Sequence, residues 1–554
     1  MQSYLPLFSF LICLAVTPVV RRVARLRGWM AYPTDDRWHK KPTALCGGIA
    51  IYLGITIPLW FVADFHTILP HVLRTSEIAS LPSIAAAVWI GMTYTFILGL
   101  LDDFLPIKPH TKLVGQILIA SLVAFLGFRL HWFTSLTLDT IVTIVWIAGI
   151  TNAFNLLDNM DGLCAGTGLI AALFLAILFR GSMPEAAMAA MILAGTLAAF
   201  LLYNFNPASI FMGDCGSLPI GFILSLLSLY FSETPTTNAL SFFVVPVMLL
   251  LVPIFDTTMV TLIRILSGRK ASVGGKDHTS HRLVLMGFSE RRAVIALYGI
   301  GFIAGVSSVF VSRSDTLTSP LVIMPVGVAI LLMGIYLAQL RVYPEKEFAL
   351  LRDRPYTPIL VELTYKKQLL MVILDFCLIA FSYYFAYRLR FDSDVFPYYF
   401  NVFLRSLPAV IACKFVAFFA LGVYRGIWGS MSTNDVGVHL KASSLATILG
   451  VAAVTFIYRF VDFSKGIFLI DWLLTTAFLL GTRGSFRLFN ETMKRKNLNG
   501  AKVLIYGAGC GGEILLREIL NNQSLKIQPV GFIDDDLLKA GKSLLGYPIL
   551  GGFY

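Results

Sequence analysis

Long uninterrupted apolar segments constrain this 554-residue chain more than any other feature of its sequence. Runs of about 20 apolar residues recur between residues 5 and 487, and each is long enough to cross a lipid bilayer as a helix. The chain is 57% hydrophobic and 14% charged, whereas a soluble protein carries about 25% charged residues. The runs lack the alternating pattern of a membrane β-barrel. We therefore predict an all-α polytopic membrane protein.

The apolar runs form two sets that are separated and followed by polar segments. We count about eleven transmembrane helices in residues 1–340 and about four in residues 368–487. Residues 341–367, which are basic and contain three prolines, are predicted to form a cytoplasmic linker. Residues 488–554 are predicted to form a short C-terminal α/β domain with a partial Rossmann-like fold, because two strand patterns flank a helical one.

The net charge of +12 results from basic residues that are concentrated in alternate connections between the apolar runs. This distribution follows the positive-inside pattern and places the basic connections in the cytoplasm. We therefore attribute the basic charge to membrane topology and expect no nucleic-acid partner. The first run has its basic cluster after it rather than before it, so we expect an uncleaved first helix with its N-terminus outside.

Polar residues gather at the span ends predicted to face the cytoplasm. They form five groups: Asp102, Asp103, Lys112 and Gln116; Asn152, Asn155, Asp158 and Asp161; Asn204, Asn206 and Asp214; Asp256 and Arg264; and Asp277, His278, His281 and Arg282. Any one group has a structural alternative, as a helix cap or a network between helices. Carboxylates that converge on one membrane face would repel one another without a cation, and hard oxygen ligands suit Mg²⁺. The pattern predicts a site for Mg²⁺ and a diphosphate.

The order of these groups resembles a known enzyme family. The segments that carry the resemblance are Asp102-Asp103, Asn-Leu-Leu-Asp-Asn-Met-Asp-Gly at 155–162, Phe-Met-Gly-Asp-Cys-Gly-Ser at 211–217, Asp-His-Thr-Ser-His-Arg at 277–282, and Arg-Trp-His-Lys-Lys-Pro-Thr at 37–43. Residues 1–340 resemble the polyprenyl-phosphate N-acetylhexosamine-1-phosphate transferases, glycosyltransferase family 4. Five segments in the family's order make the resemblance specific.

The resemblance implies a reaction and a set of site residues. N-acetylhexosamine-1-phosphate would move from a UDP-sugar to undecaprenyl phosphate, releasing UMP and initiating a cell-surface polysaccharide. Asp214 and Asp102 would hold Mg²⁺, with Mn²⁺ as the alternative metal. The other implied catalytic residues are Asp103, Lys112, Asp158, Asp161, His278, His281 and Arg282. The implied substrate-binding residues are Lys41, Thr43, Asn155, Asn204 and Phe211, the last stacking on uracil.

Segment 277–283 resembles the branch of the family that uses UDP-GlcNAc, so GlcNAc-1-phosphate is the predicted group. Two alternatives stay open: a phospho-MurNAc-pentapeptide transferase of peptidoglycan synthesis, and a non-catalytic membrane scaffold or transporter. The expected location is the bacterial inner membrane, with the active site and the C-terminus in the cytoplasm. A homodimer is one alternative for the oligomeric state.

Residues 368–554 resemble the N-terminal part of membrane-bound nucleotide-sugar epimerase/dehydratases of polysaccharide synthesis. Within the tail, Gly507, Gly509 and Gly512 directly follow a predicted strand, which is typical of a nucleotide-binding turn at a helix N-terminus. Three readings of this module stay open: a nucleotide site, a partial fold that serves docking or oligomerisation, and the product of a truncated gene.

Overall fold

The structure is a computed structural model that describes residues 2–33, 41–68, 82–105, 107–130, 132–234, 238–266, 275, 277–338, 340, 363–424, 433–496, 500–522 and 525–552. Residues 34–40, which include most of the family-like segment 37–43, lie outside the described residues. So do most of the predicted linker, 341–362, and segment 425–432 of the second module. The chain divides into two compact units, Met1–Leu370 and Met371–Tyr554.

Among the residues that the structure describes, the first unit is helical apart from one small pair of strands. Its helices are α1 (Leu5–Arg27), α2 (Gly48–Trp60), α3 (Ile84–Phe104), α4 (Pro109–Phe125), α5 (Leu136–Leu157), α6 (Leu163–Phe179), α7 (Pro184–Asn204), α8 (Asp214–Tyr230), α9 (Ala239–Leu249), α10 (Leu251–Leu266), α11 (Thr279–Leu285), α12 (Glu290–Arg313) and α13 (Pro320–Ala338). The antiparallel strands β1 (Met30–Ala31) and β2 (Thr43–Ala44) follow α1.

The described helices confirm a polytopic membrane protein. Eleven of them are long and apolar enough to cross a bilayer, and α9 with α10, bent by 77° at the break between them, counts as a twelfth broken span. Seven of the eleven lie in the first unit and four in the second. Among its described residues, the first unit also contains the bent pair and three apolar helices, α2, α4 and α6, that are shorter than a full span.

Helix α8 is the most deeply buried of the described spans and packs against α3 and α5. Its approach to α3 depends on Gly99, where an added Cβ would lie 2.3 Å from the backbone oxygen of Asp214. The chain enters α8 through Gly213, whose φ of +69° favours glycine. These two glycines bring the first turn of α8 against the last turn of α3, so that residues of two predicted polar groups become neighbours.

The second unit contains four long helices and a small α/β segment. The helices are α14 (Leu363–Arg390), which begins just before the unit boundary, α15 (Phe396–Ala420), α16 (Thr433–Tyr458) and α17 (Lys465–Lys496). Two buried ion pairs connect α17 to α15 and to α14. Lys414 Nζ lies 2.7 Å from Asp471 Oδ1, and Arg483 donates to both oxygens of Asp375. Four described helices of this region are long and apolar enough to cross a bilayer, which is the number predicted for it.

The C-terminal segment is a parallel strand–helix–strand unit. Strand β3 (Ala501–Tyr506) pairs with β4 (Ile527–Ile533), and α18 (Cys510–Asn521) connects them. The short antiparallel strands β5 (Ser543–Leu544) and β6 (Tyr547–Pro548) follow. Apolar side chains of β3, α18 and β4 form a small core of their own. The order of elements is the one expected at the start of a Rossmann-like domain.

Candidate active site

Four residues from four helices meet at one end of the first unit. Lys112 Nζ donates to Asp102 Oδ2 at 3.0 Å, to Asn155 Oδ1 at 2.9 Å and to a carboxylate oxygen of Asp214. The side chains of Lys112, Asp102 and Asp214 are 12%, 15% and 28% exposed. The group, hereafter the Lys112 cluster, is therefore shielded but open to a ligand.

The connection from α3 to α4 places two members of this cluster. Asp102 lies in the last turn of α3, and its Oδ1 accepts the backbone N–H of Ile107 at 2.7 Å, which closes the turn that follows the helix. Pro109 then begins α4 at a position where a helix needs no N–H donor. Lys112 follows one turn later and so returns to the carboxylate of Asp102.

Asp103 faces α8 rather than Lys112. Its Oδ1 accepts the backbone N–H of Asp214 at 2.8 Å, and its Oδ2 accepts that of Cys215 at 3.0 Å. A carboxylate at a helix N-terminus satisfies unpaired N–H groups and interacts favourably with the helix dipole. Both oxygens of Asp103 are thus engaged in holding the start of α8, and with it the side chain of Asp214.

Asn155 connects the last turn of α5 to the same end of α8. Its Nδ2 donates to Asp214 Oδ1 at 2.8 Å and to Ser217 Oγ at 2.9 Å, while its Oδ1 accepts from Lys112. The orientation of the amide is fixed by these partners, since Lys112 can only donate and the carboxylate can only accept. Asn155 was predicted to bind substrate; the structure places it as a bridge within the cluster.

The turn between α5 and α6 carries Asp158 and Asp161 and is tied to the loop before α8. Asp161 Oδ2 accepts from the backbone N–H of Ala208 at 2.9 Å and from Asn206 Nδ2 at 3.2 Å. Asn204 is buried; its Oδ1 accepts from Gly162 N at 3.1 Å and its Nδ2 donates to the oxygen of Ile210 at 3.0 Å. The amide oxygen and the amide nitrogen of Asn204 are therefore both engaged within the protein, so Asn204 joins two loops.

Residues 44–48 lie against residues 211 and 212. Phe211 donates its backbone N–H to the oxygen of Ala44 at 2.8 Å and accepts from Gly47 N at 2.9 Å. Thr43 is buried and donates its hydroxyl to the backbone oxygen of Lys41, which is exposed. The structure thus brings Lys41, Thr43 and Phe211 into one region, as expected if they line the mouth of one site.

The fifth predicted group forms a second network, centred on the entry to α11. Arg264 donates to both carboxylate oxygens of Asp277, from Nε to Oδ2 at 2.8 Å and from Nη2 to Oδ1 at 2.6 Å. His278 Nδ1 lies 2.7 Å from Asp256 Oδ2. Arg282, which the resemblance implies to be catalytic, is buried, and its guanidinium donates to the backbone oxygens of Asp277, Leu337 and Leu340. It anchors this segment from within.

Burial and charge perturb two groups of this network. Burial alone would raise the pKa of Asp277, but the hydrogen bonds and positive charge of Arg264 outweigh it and hold the pKa below its ordinary value. Burial, reinforced by the neighbouring His278, lowers the pKa of His281 to about 4. His281 is therefore neutral at physiological pH.

Several residues that organise the site were not assigned roles from the sequence. Ser217 contacts Asn155, Asp256 contacts His278, and Ser280 Oγ donates to Asn159 Oδ1 at 2.7 Å. Asp256 was identified as a polar residue of the fourth group, because an acidic residue inside an apolar segment is a strong signal, but its histidine partner was not predicted. Ser217 and Ser280 carry no such signal, because a hydroxyl in a helix usually bonds to its own backbone.

The C-terminal glycine turn is shaped by its own backbone. Gly507 has φ +95°, and a Cβ added to Gly512 would lie 1.9 Å from the oxygen of Gly507. Ala508 N donates to Asp534 Oδ2 at 2.7 Å, and Lys539 Nζ contacts the same oxygen at 3.0 Å. The acidic residue that follows β4 is thus occupied by the turn and by a lysine. A nucleotide at Gly507, Gly509 and Gly512 stays a prediction.

Comparisons with known protein families match both units. A sequence model of glycosyl transferase family 4 matches residues 85–232, a range that contains every member of the Lys112 cluster. A model described as a CoA-binding domain matches residues 419–553.

Comparisons with individual proteins match the N-terminal part of the chain. It is 35% identical to the probable undecaprenyl-phosphate N-acetylglucosaminyl 1-phosphate transferase of Bacillus subtilis, over 56% of this chain and 84% of that protein. It is 31% identical to the decaprenyl-phosphate N-acetylglucosaminephosphotransferase of Mycobacterium tuberculosis, over 57% and 85%. The phospho-N-acetylmuramoyl-pentapeptide-transferase of Levilactobacillus brevis is 28% identical, over 56% and 98%.

Proposed function

The chain belongs to glycosyl transferase family 4 and is a phospho-sugar transferase that acts on a polyprenyl phosphate, and from this we propose its full reaction. The enzyme transfers N-acetylglucosamine-1-phosphate from UDP-GlcNAc to undecaprenyl phosphate and releases UMP. The product begins a cell-surface polysaccharide. The reaction requires Mg²⁺ and takes place at the cytoplasmic face of the bacterial inner membrane.

The observation that carries this proposal is the Lys112 cluster. One ammonium group, two carboxylates and one amide from separate helices converge at one end of the first unit, where side chains remain partly exposed. Polar groups at the end of a membrane bundle suit a reaction between a lipid headgroup and a water-soluble nucleotide. A transporter would instead be expected to hold its carboxylates near the middle of the membrane.

The cluster fits a magnesium ion. Asp102 and Asp214 point at one position, which the ammonium of Lys112 fills. No group of three or more acidic, histidine or cysteine ligands occurs in the part of the chain that the structure describes. Mg²⁺ commonly binds through one or two carboxylates and takes its other ligands from water and substrate phosphates. Asp214 and Asp102 would therefore hold the metal, which when bound neutralises phosphate charge.

The residues of the cluster suit the transfer of a phosphoryl group. An oxygen of the lipid phosphate forms a bond to the β-phosphorus of the UDP-sugar, and the bond from that phosphorus to the oxygen shared with the α-phosphate breaks, so that UMP leaves. The lipid phosphate is largely dianionic at neutral pH and needs no strong base. Lys112 offsets the repulsion between the two anionic reactants, and Asn155 with Asp103 keeps Asp214 oriented.

The choice of sugar rests on the relatives. The two N-acetylglucosamine transferases are 35% and 31% identical to this chain, whereas the phospho-N-acetylmuramoyl-pentapeptide-transferase is 28% identical. We extend their sugar to this chain because segment 277–283 also has the form typical of the UDP-GlcNAc branch. The cytoplasmic orientation rests on the positive-inside charge pattern.

An exchange assay with purified protein tests the proposal. Radiolabelled UDP-GlcNAc and undecaprenyl phosphate are supplied with and without Mg²⁺, and labelled lipid and UMP are measured. We expect both products only with Mg²⁺. Asp214→Ala should abolish turnover while the protein stays inserted in the membrane and monodisperse in detergent.

Two controls separate the alternatives. UDP-MurNAc-pentapeptide replaces UDP-GlcNAc in a parallel reaction, and product from that substrate alone would identify the peptidoglycan reaction instead. Full activity of Asp214→Ala would contradict the assignment of the metal. Failure of folded wild-type protein with every UDP-N-acetylhexosamine would favour a scaffold.

A further inference from the structure

Asp256 is a buried carboxylate to which the proposed reaction gives no role. It lies inside the apolar helix α10 and is 2% exposed. An ionised carboxylate in such surroundings is costly unless its oxygens are hydrogen-bonded. Both oxygens of Asp256 are engaged by consecutive residues at the entry to α11: Oδ2 by His278 Nδ1 at 2.7 Å, and Oδ1 by the backbone N–H of Thr279 at 2.6 Å.

These contacts determine which nitrogen of His278 carries a proton. An ionised carboxylate can only accept hydrogen bonds, so Nδ1 must be the donor. The proton stays on Nδ1 in both the neutral and the charged imidazole, and Nε2 is the nitrogen available for other contacts. Within the described residues, Nε2 of His278 has no protein hydrogen-bond partner.

Helix α10 fixes the backbone on both sides of this imidazole. Arg264, two helical turns after Asp256 on α10, holds the carboxylate of Asp277, the residue before His278. The carboxylate of Asp256 holds the N–H of Thr279, the residue after it. His278 therefore has little freedom in either its backbone or its ring.

The same segment is attached to the turn that adjoins the Lys112 cluster. Ser280 Oγ donates to Asn159 Oδ1 at 2.7 Å. Asn159 follows the end of α5, one helical turn after Asn155, which contacts both Lys112 and Asp214. The histidine and the cluster are thus linked through one short stretch of backbone.

We propose that Asp256 is a positioning residue that holds His278 with its proton on Nδ1 and presents Nε2 to the nucleotide-sugar substrate. The inference rests on the proposed function of the site. Nε2 faces an oxygen of the diphosphate and donates to it when the ring carries its second proton, whose charge the carboxylate of Asp256 balances. Asp256 does not itself touch the substrate.

A double-mutant cycle on the full-length enzyme tests this inference. Asp256→Asn has one acceptor oxygen and cannot serve both His278 and Thr279. We expect kcat/KM for the UDP-sugar to fall about 10–100-fold, the usual size of such an orienting effect, and KM for undecaprenyl phosphate to stay within about twofold. In a His278→Gln background, Asp256→Asn should change kcat/KM by less than about threefold, because the group it positions is gone.

Asp277→Asn is a second variant of the same network, because it weakens the Arg264 pair that holds the backbone before His278. Its effect on kcat/KM should likewise shrink in the His278→Gln background. His278→Asn, whose amide nitrogen can replace Nδ1 but not Nε2, provides a test that does not require Asp256→Asn to fold. We expect it to keep the thermal stability of the wild type and to lose at least tenfold in kcat/KM.

The outcomes separate this inference from the proposed function. If the wild type is active and Asp256→Asn lowers kcat/KM as much in the His278→Gln background as in the wild type, the positioning role is overturned and the proposed reaction stands. Wild-type kcat/KM in His278→Asn would do the same. A folded wild type that labels no lipid with any UDP-N-acetylhexosamine would overturn the proposed reaction, and the inference with it.

Discussion

Asp103→Asn tests whether this carboxylate shapes the site or takes part in the chemistry. Its two oxygens accept the backbone N–H groups of Asp214 and Cys215, at 2.8 and 3.0 Å. Asparagine keeps one acceptor oxygen and turns an NH₂ donor toward the other N–H group. One hydrogen bond and one negative charge are lost at the N-terminus of α8, so the backbone that carries Asp214 is held less firmly.

The size of the effect follows from these two contacts. A hydrogen bond to a charged group contributes about 1.5–3 kcal/mol, and the interaction with the helix dipole contributes about 0.3–1 kcal/mol. We expect the variant to lose about 2–3 kcal/mol of the free energy that orders the site. Since 1.36 kcal/mol corresponds to a factor of ten in rate, kcat/KM should fall about 30–150-fold.

The exchange assay with UDP-GlcNAc measures this loss, and Gly213→Ala is the matched control. A Cβ at Gly213 would lie 2.6 Å from Asp103 Oδ2, and the φ of +69° disfavours alanine, so Gly213→Ala disturbs the same contact while the carboxylate itself is kept. Gly213→Ala should lower kcat/KM at least as much as Asp103→Asn, and the two effects should not add when combined. A loss above about 1,000-fold in Asp103→Asn, together with wild-type activity in Gly213→Ala, would instead indicate that Asp103 reacts directly.

Three other outcomes are expected. Lys414→Met should lower stability by about 3–5 kcal/mol because it leaves Asp471 buried and uncompensated, and adding Asp471→Leu should restore most of it; thermal unfolding in detergent measures both, and no recovery would contradict the ion-pair argument. The pKa of His281 is lowered to about 4 in the folded protein, so between about pH 6.5 and 4 this histidine is protonated in the unfolded chain and neutral in the folded one. The free energy of unfolding should therefore fall by up to about 3 kcal/mol as the pH drops across this range. His281→Gln should remove that slope; an unchanged slope would assign it to other groups. Deleting residues 497–554 should leave transfer activity within about threefold, since the transferase relatives match the N-terminal part of the chain; loss of activity in an inserted, folded truncation would count against a modular enzyme.

Hydropathy was sufficient to predict the membrane-spanning architecture, because the bilayer imposes a length and a polarity on every span. The positions of the polar residues in the sequence also showed where along the apolar segments they lie. The sequence could not predict which side chains within these groups contact one another. Asp102 and Asp103 are adjacent, and neighbours on a helix point about 100° apart. One reaches Lys112 and the other reaches α8, and only the packing of α3 against α8 decides which.

The charged residues inside the second unit show a different limit of sequence reasoning. Lys414 and Asp471 are single charges within apolar runs, a pattern that normally marks a functional or paired residue. They are separated by 57 positions, so the sequence gives each charge without its partner. The same holds for Arg483 and Asp375, which are 108 positions apart. The sequence predicts that such a buried charge has a partner of opposite charge, but only the packing of the helices shows which residue that partner is.

Exposure separates the polar residues of the first unit into two kinds. Lys112, Asp102 and Asp214 form a cluster that retains 12–28% exposure of each side chain, as a site that receives a substrate requires. Arg264 and Asp277 are only 5% and 1% exposed, and each is the other's partner. Removing one member of a buried pair leaves an uncompensated charge, whereas removing a member of the open cluster leaves a group that water can solvate. Substitutions in the Lys112 cluster should therefore abolish turnover in a protein of normal yield, and substitutions in the Arg264 pair should first reduce the amount of folded enzyme.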